Sequence, residues 1–211
     1  TTPFMRSMAL LLLLADGIGT VNYALVADYS GATFTDAVSR TRFAAHVDLA
    51  TNVLTVTLQL LVTRWLLPRS GAGVLITIWA LVSVAALSLV ILSPDPHAPI
   101  VGAFPAVAIA LIVSRGLAYG MAEPARHSLF TRVPRSQRYK GQNAVDTAVW
   151  RFGDLAVALT MNGLRSVGAG IGMLASLSAA AALTAGWIGW RLSRRLDADP
   201  GRTLGTDATK A

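Results

Sequence analysis

A chain of 211 residues, 54% of them hydrophobic and only 14% charged, with a mean hydropathy of +0.55, does not have the composition of a water-soluble domain, in which about a quarter of residues carry charge. The absence of cysteine excludes disulfides and thiolate metal sites. A net charge of +7 would point to nucleic acid in a soluble protein, but basic cytoplasmic loops account for it in a membrane protein; no nucleic-acid partner, metal or cofactor is expected.

The first apolar run begins at Phe4. No leading methionine or cleavage site precedes it, and it outlasts the hydrophobic core of a signal peptide. It is expected to be a true span, in a chain cut from something longer. Interruptions rich in Pro, Gly or charge divide the sequence into apolar segments at 5–27, 44–67, 73–92, 99–122, 141–163 and 168–190. Each is long enough to cross about 30 Å of hydrocarbon as a helix. The expected fold class is therefore an all-α membrane protein, a bundle of six transmembrane helices over 1–195. The polar stretch 196–211, without periodicity, is expected to be a disordered cytoplasmic tail.

The 18 Lys and Arg residues test this topology. Arg40, Arg42 and Arg165 fall on one side, Arg115 and Arg151 lie inside spans, and all the others collect on the opposite side. Such a bias places both termini in the cytoplasm.

Polar groups in hydrocarbon must face protein or water, so their distribution shows which helices line something. In the first segment Asp16, Thr20 and Tyr23 share one face; in the second, Asp48, Asn52, Thr55 and Gln59 do the same. The fourth runs Arg115, Tyr119, Glu123 and Arg126 along one face, with Pro124 expected to bend or end the helix. In the fifth, Asn143, Asp146, Thr147, Trp150, Arg151 and Asp154 fall within an arc of about 140°. The third and sixth carry no central charge and read as lipid-facing packing. Helices one, two, four and five are expected to line an aqueous path or an interface.

Each charge also has a plainer reading. Arg151 with Asp154, and Glu123 with Arg126, are i, i+3 neighbours that neutralise one another if they meet. Arg115 has no acidic residue three or four positions away, so its partner is either Asp16 on another helix or an anionic ligand held by bidentate hydrogen bonds. His46 and His127 lie near membrane surfaces without metal-ligand spacing. An enzyme is not expected: after Ser88 the only histidines, His97 and His127, fall outside the spans, which removes an intramembrane serine protease, and no Walker-type loop is present.

Six helices with both ends inside, polar at one, two, four and five, resemble one half of a major facilitator superfamily transporter, here the C-terminal half. The "LLPRSGAG" at 66–73 is similar to that family's short basic cytoplasmic loop. More narrowly, "RHSLFTRVPRSQRYKGQNAVDTAVWRFGD" from Arg126 to Asp154 resembles the nucleotide transport family of ATP/ADP translocases. Ser128-Leu129-Phe130, Tyr139-Lys140-Gly141 and Ala144-Val145-Asp146 occupy the family's motif positions, and "VDLATNVLTVTLQ" with Asp48 and Asn52 is similar to bacterial relatives. Gln142 stands where translocases carry a second lysine, and they lack the "WRFGD" ending in this form.

The resemblance implies a multi-pass protein of a bacterial inner membrane that exchanges a nucleotide or another phosphorylated anion by alternating access. Its partners are then the N-terminal six-helix half or a second copy, the small anionic solute and membrane lipid. The candidate substrate-binding residues are Arg115, Lys140, Arg151, Tyr119, Asn143 and Trp150; the candidate gating or coupling residues are Asp16, Asp48, Asn52, Glu123, Asp146 and Asp154. A non-transporting membrane scaffold and a half-size transporter acting as a homodimer are the alternatives.

Overall fold

The computed structural model describes residues 3–132, 147, 152–153 and 155–198. In chain order these form α1 (Pro3–Thr33), α2 (Ala37–Thr57), a π-helical turn at Leu58–Thr63, and α3 (Arg64–Leu92). A short hairpin of β1 (Pro99–Val101) and β2 (Phe104–Pro105) follows, then α4 (Ala106–Leu117), a second π-helical turn at Ala118–Ala122, and α5 (Glu123–Phe130). Helix α6 covers 155–166, and α7 is Ile171–Ala198.

Among the described residues, four helical stretches are long and apolar enough to cross a membrane: Pro3–Thr33, Ala37–Leu92, Ala106–Phe130 and Ile171–Ala198. The second has 56 residues, about 84 Å if straight, far beyond about 30 Å of hydrocarbon. It is not straight. Gly71 interrupts it at φ 76°, ψ 168°, a backbone conformation that residues with a Cβ rarely adopt.

Packing on either side of Gly71 shows a reversal. Leu54 lies against Gly116 and Leu58 against Gly120, so α2 runs parallel to the α4 stretch. Beyond Gly71 the order inverts. Leu75 clusters with Leu129 and Phe130, Trp79 bonds Ser114, and Val90 clusters with Ala106.

Two core layers fill the bundle, one containing Met5, Leu75, Phe130 and Leu192 and the other Tyr29, Phe43, Leu87, Met161 and Leu174. Met5 and Leu192 share a layer, so the described chain starts and finishes at one end of the bundle. The arginines follow this division: Arg6, Arg64, Arg69, Arg126, Arg132, Arg191, Arg194 and Arg195 belong to helix ends at that layer, and Arg40, Arg42 and Arg165 to the opposite end.

Several boundaries differ from the sequence reading. The segment expected at 99–122 becomes helical only at Ala106 and continues to Phe130. Pro99 and Pro105 lack N–H groups, and Gly102 at φ 58° turns the hairpin. The second segment begins at Ala37 rather than near 44 because Asp36 caps it, its Oδ1 accepting from the Ser39 N–H at 2.8 Å. At the far end α7 runs through Ala198, so 196–198, expected in a disordered tail, are helical; Asp197 pairs with Arg132 and accepts from Ser193 Oγ at 3.5 Å. Residues 199–211, and 141–146, 148–151 and 154 of the fifth expected span, lie outside the described residues.

The bond from the Ser39 N–H holds the exposed Asp36 carboxyl below its ordinary value of 3.8. A group whose folded-state pKa is depressed contributes stability above the unfolded value and loses it as pH falls through the folded one. The cap's contribution is thus expected to be full at neutral pH and to fade below pH 3.8. Asp36→Asn, which keeps an acceptor oxygen without a titration, is expected to flatten the acid side of the thermal-unfolding profile; an unaltered acid limb would show that the cap carries none of it.

Helices α3 and α7 pack through small residues. A methyl built on Gly73 would lie 2.7 Å from Ser193 Cβ, on Gly186 2.6 Å from Ala80 Cβ, and on Gly189 2.5 Å from Ile76 Cγ2. Where lipid supplies no hydrophobic drive between helices, this close backbone approach provides the dispersion contact that holds them. Both helices bury one face and leave another apolar face outward: Leu81, Leu89 and Leu92 on α3, Leu177, Leu183 and Trp187 on α7. Each helix expected to face lipid thus has one exposed apolar face, while Leu75, Ile76, Trp79 and Leu87 of α3 are core.

Candidate functional site: an arginine between two tyrosines

Proline at 124 shapes the centre of the α4–α5 stretch. In the π turn before it, the Glu123 N–H reaches back five residues to the Ala118 carbonyl. Pro124 has no N–H to continue this pattern, which frees the carbonyls of Tyr119 and Gly120. Helix α2 and its π turn supply the missing donors: Gln59 Nε2 donates to Tyr119 O at 3.1 Å, and Thr63 Oγ1 donates to Gly120 O. Thr55 Oγ1 reaches Gly116 O at 3.4 Å. Thus Pro124 does not end the helix, which continues to Phe130; the turn before it is widened, and the neighbouring helix satisfies the result.

Of the α2 polar stripe, expected to line an aqueous path or an interface, Thr55 and Gln59 hydrogen-bond the backbone of the adjacent helix. Asp48 accepts from Tyr23 Oη at 3.2 Å, and Asn52 is exposed. Thr63→Val is expected to destabilise the protein by about 0.6 kcal/mol, the typical size of an interhelical hydrogen bond in a membrane. In a Pro124→Ala background, where an N–H is restored, the cost should shrink towards zero. Equal costs in both backgrounds, measured by thermal unfolding in detergent, would separate Thr63 from the proline.

The widened turn lies beside a cavity of about 80 Å³ between α1 and the α4–α5 stretch. Asp16, Arg115, Tyr119, Glu123 and Arg126 all line it, with Trp79 and Ser114. The one-face spacing read along the fourth segment therefore converges on a single cavity, as does Asp16 from the first. The side chains reach it differently.

Arg126 is only 3% exposed. Its Nε donates to Glu123 Oε2 at 2.9 Å and its Nη2 to Glu123 Oε1, while His127 Nε2 is 3.0 Å from Glu123 Oε1. The local i, i+3 pairing weighed for Glu123 and Arg126 is what the structure shows, and His127, read as an ordinary interfacial residue, joins it.

Arg115 stands apart. Its guanidinium carbon lies 4.4 Å from the Tyr23 ring centroid and 5.0 Å from that of Tyr119. Gly19 gives it room on α1, since a methyl there would lie 3.4 Å from Nη1. Among the described residues Arg115 forms no salt bridge, with Asp16 or with any other acid. Attraction to two aromatic π-systems holds the cation while leaving its in-plane N–H groups for a ligand. A guanidinium presented this way suits carboxylate or phosphate oxygens.

A buried polar layer beneath the cavity was not singled out from the sequence. Asn22, fully buried, donates from Nδ2 to Ser114 Oγ at 2.8 Å; Ser114 Oγ donates to Ala110 O at 2.6 Å; and Trp79 Nε1 donates to Ser114 O at 3.0 Å. These bonds join α1, α3 and α4 immediately before Arg115. The one available signal was an asparagine in an apolar run.

Lys140, Asn143, Asp146, Trp150, Arg151 and Asp154 lie outside the described residues. Among the described residues no group of His, Asp or Glu is arranged to hold a metal ion. Comparison of the chain with protein-family models, with curated proteins and with solved structures gives no match.

Proposed function

We propose that this chain is the C-terminal half of a secondary transporter of the major facilitator type, which moves an anionic solute by alternating access, with Arg115 as the residue that holds the anion. The observation that supports this most is a guanidinium inside a membrane helix, lining a cavity and set against two tyrosines rather than a carboxylate. A charge at that depth costs about 2.5–3.5 kcal/mol even on the lenient insertion scale. A ligand that uses it gives the cost a purpose.

The likeness of 126–154 to nucleotide translocases extends the reading to a nucleotide or another phosphorylated anion, with Lys140 and Arg151 as further phosphate contacts. Both termini are then cytoplasmic, since the arginines gather at the end of the bundle where the described chain starts and finishes. Asp48 and Asn52, exposed among Leu49, Val53 and Val56 of α2, mark the face that the other half, or a second copy, covers. Uptake of radiolabelled ADP, inorganic phosphate and succinate by proteoliposomes containing the complete transporter tests the reading. Failure to take up any anion above empty vesicles would overturn it.

A further inference from the structure

The outward face of α7 carries a second basic cluster, unrelated to the cavity at Arg115. Trp187, Trp190, Arg191, Arg194 and Arg195 fall within an arc of about 140° and border a shallow groove of about 550 Å³. The opposite side of the same turns holds Gly186, Gly189 and Ser193, packed on α3, so the Trp and Arg side faces away from the bundle. Trp187 is 55% exposed and Trp190 40%.

The guanidinium carbon of Arg191 stands 4.0 Å from the Trp187 ring centroid, and that of Arg194 5.7 Å from Trp190. Among the described residues none of the three arginines forms an ion pair. The nearby acid, Asp197, is engaged by Arg132 and Ser193.

Depth along the helix completes the picture. At 1.5 Å per residue, 171–190 spans about 30 Å, the thickness of the hydrocarbon layer. Arg191 is then the first residue at headgroup level, with the two indoles just inside it, where tryptophan is favoured. A loop bias alone explains basic residues at this end; it does not explain three of them on one outward face, two set against indoles and all three left without acids among the described residues.

We propose that this groove is a binding site for the headgroup of an anionic phospholipid. Arg191, Arg194 and Arg195 bond its phosphate oxygens, and Trp187 and Trp190 pack along the glycerol and upper acyl chain. The preference is electrostatic, so each arginine removed weakens it about fivefold.

The full chain is reconstituted in nanodiscs of equal parts phosphatidylcholine and phosphatidylglycerol, and retained lipids are counted by native mass spectrometry. The wild-type chain is expected to retain phosphatidylglycerol in preference to phosphatidylcholine. Arg191→Gln/Arg194→Gln/Arg195→Gln is expected to lose that preference, and the triple lysine variant to keep it. Equal retention of both lipids by the wild type overturns the proposal without recourse to any variant. So does undiminished phosphatidylglycerol retention by the triple glutamine variant, or displacement of the lipid by soluble glycerol 3-phosphate at matched concentration, which would make the groove a site for free phosphate.

Discussion

Arg115→Ala is expected to lower uptake at sub-saturating anion by about 10- to 150-fold, the equivalent of the roughly 1.5–3 kcal/mol carried by hydrogen bonds to a charged group, without loss of membrane insertion. Lysine at 115 keeps the charge but presents three donors on a point cation in place of a planar fork, so Arg115→Lys should recover only part of the rate. Tyr23 offers a graded control. Tyr23→Phe keeps the ring 4.4 Å from the guanidinium carbon and loses the bond to Asp48; Tyr23→Leu removes the ring as well. If the aromatic pair positions Arg115, leucine is the more damaging change. Initial rates in proteoliposomes, with size-exclusion profiles to verify the fold, decide the matter. Unchanged uptake of ADP, phosphate and succinate by Arg115→Ala would remove this residue from the site.

What the sequence could show and what it could not follows from the range of each physical signal. A 3.6-residue period is local, so the convergence of Arg115, Tyr119, Glu123 and Arg126 on one cavity was readable from spacing alone. So was the pairing of Glu123 with Arg126, a contact within one helix. The role of Thr55, Gln59 and Thr63 was not readable. Thr55 bonds the Gly116 carbonyl, and the partners of Gln59 and Thr63 are carbonyls freed by a proline more than sixty positions away; no rule of local spacing connects a side-chain donor on one helix to a missing N–H on another. The same limit hid Asn22, Ser114 and Trp79, which meet only once three helices have packed. Helix ends at Ala37 and Ala106 were set by a cap and by prolines, weak signals beside a long apolar run.

The close packing of α3 on α7 carries the largest expected effect on stability. Gly189→Ala inserts a methyl 2.5 Å from Ile76 Cγ2 and 3.1 Å from Ile76 Cβ and Cδ1, closer than carbon atoms approach, and neighbouring contacts at Gly186 and Gly73 prevent either helix from sliding away to make room. The helices must separate, and overpacking of this kind costs about 1–3 kcal/mol. Gly172 is the control: it lies on the same helix, yet a methyl there meets nothing within 4 Å. Gly172→Ala is therefore expected to be neutral or stabilising by up to about 1 kcal/mol through helix propensity. Ile76→Ala removes the clashing atoms, so Gly189→Ala should cost less in that background, with a coupling of about 0.5–3 kcal/mol. Thermal unfolding of the four variants in detergent closes the cycle. Were Gly189→Ala to behave like Gly172→Ala, the backbones of α3 and α7 could not approach as closely as described, and the outward direction of the Trp187 and Arg191 face, which depends on that contact, would fall with it.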